Sequence, residues 1–71
     1  MNNEEKLEFI ENLLGLPVYS LKEETYLSDI ETWDTESMVN FQNELLALGK
    51  DILVEELEQC ERVIELMRLI D

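Results

Sequence analysis

The sequence contains no histidine and only one cysteine. These shortages exclude a zinc site built from Cys and His, a Cys/His nucleophile pair and proton transfer by histidine. The lone Cys60 has no partner for an internal disulfide. That fits a reducing cytosol, so the expected location is cytoplasmic. Bases are scarce as well: five Lys and Arg face eighteen Asp and Glu, for a net charge of −13. Such a surface repels nucleic acid and anionic membrane, and neither is an expected partner. No apolar run approaches the length of a membrane span. No basic segment followed by an apolar stretch opens the chain, so no signal peptide is expected.

What remains is 71 residues with a 45% hydrophobic fraction. That is one domain, ordinary in apolar content but small enough that its core is marginal. The acidic excess favours a basic partner surface, with long-range attraction that weakens in salt. With so few bases, most carboxylates are expected to be solvated.

Helical spacing dominates the chain. Leu7, Ile10 and Leu14 form one stripe, widened by Phe9 and Leu13, while Glu4, Glu5, Glu8 and Glu11 occupy much of the other side. Asn2 or Asn3 is the expected N-cap, and Gly15 with Pro17 the expected stop. Residues 16–34 form a long connection whose apolar residues, among them Leu21, Leu27, Ile30 and Trp33, predict that it packs. Ser20 and Glu23 have the spacing of a capping box, which fits either one helical turn or a polar turn. A second helix is expected from Asp34 or Thr35 to Gly49, with Met38, Phe41, Leu45 and Leu48 inward. Val54 to Glu58 fits a brief third helix, and Glu61 to Ile70 a fourth. The expected fold is all-α: an antiparallel four-helix bundle with a long first loop and a short third helix.

The ordered pattern resembles the acyl carrier protein family over nearly the whole chain. Leu21, Thr25, Leu27, Asp29 and Ile30 match the loop leading to that family's attachment site, and Trp33-Asp34-Thr35 is similar to its Trp-Asp-Ser form. Leu48-Gly49 with Ile52 resembles the end of the second helix. Glu55-Glu56-Leu57, Cys60, Val63, Leu66 and Ile70 resemble the last two helices. The resemblance implies an acyl-carrier-like fold and a 4'-phosphopantetheine arm that holds an acyl or aminoacyl thioester. It implies Thr35 as the equivalent of the attachment serine and Asp34 as the motif acid and N-cap. A helix start suits the phosphate of such an arm. It further implies a non-enzymatic role, with a phosphopantetheinyl transferase and basic-surfaced biosynthetic enzymes as partners. Trp33, Glu36, Met38 and Glu44 are the residues expected to face them.

The residues around the motif keep other readings open. The threonine methyl crowds the hydroxyl and restricts its rotamers, and Glu36 stands where the family has Leu or Met. Glu36-Ser37-Met38 also reads acid, serine, apolar, which makes Ser37 an alternative attachment point in a shorter helix. Asp34, Thr35 and Ser37 together also suit nothing more than a helix cap and its first turn. Trp33 fits a hydrophobic plug under the loop or an aromatic docking anchor. These departures motivate a second expectation, an acidic adaptor of carrier shape that binds an enzyme without an arm. An acidic decoy for a nucleic-acid-binding protein leaves the loop unexplained. The carboxylates show no calcium-loop spacing, so no metal is expected. Oligomeric state stays open.

Overall fold

The computed structural model describes residues 1–70. Among them the chain forms four α-helices and no strand: α1 (Asn3–Leu14), α2 (Thr35–Ala47), α3 (Val54–Glu58) and α4 (Val63–Ile70). A single 3-10 turn, Leu27–Asp29, interrupts the long connection between α1 and α2.

The two long helices end where side chains and glycines dictate. At α1 the Asn2 side chain accepts the Glu5 N–H (2.8 Å), and the Glu5 carboxylate accepts the Asn2 N–H (3.1 Å). This reciprocal box satisfies two of the donors that every helix start leaves free. At the other end Gly15 adopts φ 70°, a left-handed conformation that suits glycine, and the Leu16 N–H turns back to the Glu11 carbonyl (2.8 Å). Gly49 does the same for α2 at φ 85°, with the Lys50 N–H on the Leu45 carbonyl (2.9 Å). That turn removes Leu48 from the inward stripe expected of it. The helix proper stops at Ala47, and Leu48 is left 48% exposed.

The core joins Ile10 and Leu14 of α1, Phe41 and Leu45 of α2, Leu57 of α3, and Val63, Leu66, Met67 and Ile70 of α4. The long connection adds Leu21, Leu27 and Ile30 to the same cluster. Burying each such side chain contributes about 1.5–3 kcal/mol, so the connection belongs to the folded core energetically. Phe41 is the aromatic centre. Phe9 meets it edge-on at 6.1 Å and 82°, and Trp33 meets it edge-on at 6.1 Å and 86°.

Bonding to the backbone decides between the two readings at Ser20–Glu23 and corrects the start of α4. No helical turn forms at Ser20–Glu23; the Ser20 N–H (3.2 Å) and hydroxyl (2.6 Å) both donate to the Pro17 carbonyl and close a tight turn. The fourth helix begins at Val63, two residues later than the spacing predicts, because the segment before it is paired with the connection. Tyr26 and Arg62 form an isolated antiparallel bridge, in which the Leu27 N–H donates to Glu61 O and the Val63 N–H to Thr25 O, both at 2.9 Å. The Arg62 guanidinium lies 4.6 Å from the Tyr26 ring centre, and its Nη2 donates to the Tyr26 hydroxyl (2.6 Å). Glu65 reaches back over the start of α4 and accepts the N–H groups of Glu61 and Arg62, the latter at 3.0 Å.

The view of the carboxylates as solvated faces fails at one position. Glu11 is only 2% exposed, and its carboxylate accepts the Leu21 N–H at 2.9 Å. The connection has folded over α1 and turned one member of the acidic stripe into an anchor.

Candidate functional site

The connection delivers the chain to α2 in three steps. The Ile30 N–H donates to Leu27 O (3.0 Å) as the 3-10 turn closes. The Trp33 N–H then donates to Ile30 O (3.1 Å), and the half-buried Trp33 ring seats against Phe41. Asp34 follows in extended conformation, with φ −138° and ψ −175°, and caps α2 by accepting the Ser37 N–H (2.9 Å). The seat of Trp33 and the cap of Asp34 therefore place Thr35 as the first residue of α2.

The two candidate hydroxyls have different environments. Thr35 is exposed, and its hydroxyl makes no hydrogen bond among the described residues. Ser37 is half-buried, and its hydroxyl donates to the Thr32 carbonyl. The Ser37 oxygen is thus turned back toward the loop and Thr35 toward solvent. The tie to Thr32 has no periodic signature, because it joins a helix residue to a loop carbonyl five positions earlier.

The surroundings are anionic. Glu31, Asp34 and Glu36 share an open depression with Thr32, Ser37 and Asn40. No Lys or Arg occurs between Lys22 and Lys50 in the sequence. Asp34 is held below the usual carboxylate range, chiefly by the Ser37 N–H. Glu65 is lowered in the same way, first by the Glu61 N–H and then by that of Arg62. Sequence spacing singled out Asp34 and Glu36 here, but not Glu31, which the turn after Ile30 brings alongside.

The remaining expected site residues are dispersed. Glu36 is exposed beside Thr35. Met38 is half-buried and packs against the core, with its N–H on Asp34 O (3.0 Å). Glu44 lies farther along α2, in a separate depression with Phe9, Asn12 and Leu13 of α1. Cys60 is half-buried beside Trp33, Tyr26, Leu27 and Ser28, and its thiol donates to Glu56 O (3.4 Å). Burial pushes its pKa up, with Glu65 and Glu56 adding to the effect. That keeps it a poor nucleophile at neutral pH.

The lowered acids set a pH dependence. A carboxylate whose folded pKa lies below its unfolded value stabilises the fold above the unfolded value, about 4, and loses that contribution as pH falls through the folded one. Acidification below about pH 4 should therefore lower the melting temperature of the wild type more steeply than that of Asp34→Asn. The variant keeps an oxygen acceptor for the Ser37 N–H but has no proton to gain. Parallel melting curves for the two proteins between neutral and acidic pH would show that the cap does not titrate with folding.

Among the described residues, no helix is long and apolar enough to cross a membrane. No group of three or more His, Cys, Asp or Glu among those residues is placed to hold a metal ion. Comparisons of the chain with known protein families, curated proteins and solved structures find no match.

Proposed function

We propose that this protein is a carrier-like domain of acyl-carrier-type bundle fold that presents a 4'-phosphopantetheine arm on Thr35. The observation that carries the reading is the position of Thr35: exposed, first in α2, with a hydroxyl not engaged by the described residues. A phosphate linked there would lie at the positive end of a thirteen-residue helix. The Ser37 hydroxyl is engaged by Thr32, which favours Thr35 over Ser37 as the attachment point. In this reading Trp33 fixes the loop, Asp34 fixes the helix start, and the exposed part of α2 with Glu36 and Glu44 meets basic surfaces on a transferase and on biosynthetic enzymes.

Intact mass after co-expression with a broad-specificity phosphopantetheinyl transferase tests this. The expected result is one added phosphopantetheine on the wild type, retained in Ser37→Ala and lost in Thr35→Ala. An unmodified wild type beside a modified Thr35→Ser variant would overturn the carrier function while keeping the carrier shape.

A second reading rests on the charge around the same residue. Asp34 and Glu36 flank Thr35 directly in the sequence, where the phosphodiester of an arm would add a further negative charge, with no base nearby in sequence. Like charges disfavour that addition. This favours an acidic adaptor that docks on an enzyme without an arm. Its signature is partner binding unchanged by Thr35→Ala and weakened by salt.

A further inference from the structure

The turn that follows α1 builds a cleft that the proposed carrier role does not use. Glu4, Leu7, Glu8 and Glu11 recur at three- and four-residue steps, so they share one stripe of α1. The segment Val18–Leu21 runs beside this stripe, tied to it by the Glu11 carboxylate on the Leu21 N–H (2.9 Å). Between them lies a cleft of about 100 Å³, the size of one side chain. Leu7 and Leu21 give it an apolar floor, the half-exposed Val18 adds apolar lining beside them, and Glu4 and Glu8 are carboxylates at its exposed rim. It is separate from the α1 surface that meets α2, where Phe9, Asn12 and Leu13 adjoin Glu44.

Tyr19 stands at the edge of this cleft. It is 87% exposed, and its backbone adopts φ 67°, a left-handed conformation that glycine or asparagine takes far more readily. The Pro17–Ser20 turn holds it there through the two bonds from Ser20 to the Pro17 carbonyl. A large aromatic ring is thus held out of the core beside two carboxylates. At Tyr26 the fold displays the pairing such a ring suits: the Arg62 guanidinium lies over that ring at 4.6 Å.

We propose that the α1–Tyr19 cleft is a docking site for an arginine side chain of a basic partner protein. The aliphatic stem would lie on Leu7, Val18 and Leu21. The guanidinium would reach Glu4 and Glu8 and stack on Tyr19. Arginine fits better than lysine, because its planar head stacks on rings and bonds carboxylates in pairs. A net charge of −13 attracts such a partner from a distance, and the cleft supplies the specific contact. The site is independent of any arm on Thr35.

The test is an amide-shift titration of the full chain with the capped peptide acetyl-Gly-Leu-Arg-Leu-Gly-amide, and with the same peptide carrying citrulline for arginine. Shifts should concentrate at positions 4–11 and 18–21, and the uncharged citrulline peptide should bind more weakly. Tyr19→Gly accommodates the left-handed backbone, so it keeps the turn while deleting the ring, and it should weaken the arginine peptide about fivefold. Equal binding of the two peptides, or unchanged binding to Tyr19→Gly, would overturn the proposal. So would shifts spread evenly over the acidic surface. Shifts centred on α2 would also overturn it, while leaving the Thr35 reading untouched.

Discussion

Phe41→Ala is expected to leave the domain at or beyond the edge of unfolding at room temperature. Phe41 is fully buried at the centre of the core, with Phe9 and Trp33 each edge-on to it at 6.1 Å. Truncating a buried phenylalanine costs about 3–5 kcal/mol in total, and the loss of two edge-to-face pairs puts Phe41 toward the upper end of that range. A chain of this length has a total stability of about 4–10 kcal/mol. The repulsion within a net charge of −13 pulls toward the low end of that range. The loss is therefore comparable to everything the fold has. Urea unfolding followed by circular dichroism and by Trp33 fluorescence reads it directly, since Trp33 is the only tryptophan. Phe41→Leu should fall between the variant and the wild type, because it refills most of the cavity. A Phe41→Ala midpoint within experimental error of the wild type would mean that the aromatic trio does not hold the fold. The consequence reaches the site as well. Trp33 immediately precedes the Asp34 cap, so losing its seat on Phe41 frees the start of α2, and protection of the Ser37 amide should fall with it.

The elements that the sequence makes legible are those decided within a few residues. The stripe of Ile10 and Leu14, the glycines at 15 and 49, and Asp34 before Thr35 carry their own physics: a period, a left-handed backbone and a cap. The four helices follow from such local signals. Features that depend on the connection folding back are not legible. Nothing local separates Glu11 from Glu4 or Glu8, yet only Glu11 lies under residue 21 and is buried. The apolar spacing alone does not move the start of α4 to Val63, because the Glu61 carbonyl and the Val63 N–H are committed to the connection across a separation of more than thirty residues. At the candidate site, the presence of a hydroxyl at a helix start is legible. Which hydroxyl stays free is not, since it depends on the Thr32 carbonyl reaching Ser37.

Glu11 is the second place where one substitution should have a large effect. The Leu21 N–H has no backbone acceptor among the described residues and is met instead by the buried Glu11 carboxylate at 2.9 Å. Glu11→Ala leaves that donor buried without a partner, at a cost of about 1–3 kcal/mol. Glu11→Gln keeps an acceptor oxygen in nearly the same place, and loses only the extra strength of a charged bond, about 1 kcal/mol. The order of stability should therefore be wild type, Gln, Ala, measured by thermal melting. The Leu21 amide should exchange fastest in the Ala variant. If Gln and Ala are equally destabilised, the carboxylate acts through its charge and the hydrogen bond is incidental. If neither changes stability, the connection is held by Leu21, Leu27 and Ile30 alone. The expected ranking has a functional corollary. Leu21 forms part of the floor of the Tyr19 cleft, and Glu11 is the direct tie between that segment and α1. A Glu11→Ala protein that remains folded should lose binding of the arginine peptide, whereas its Thr35 hydroxyl, positioned by Trp33 and Asp34, should stay where it is.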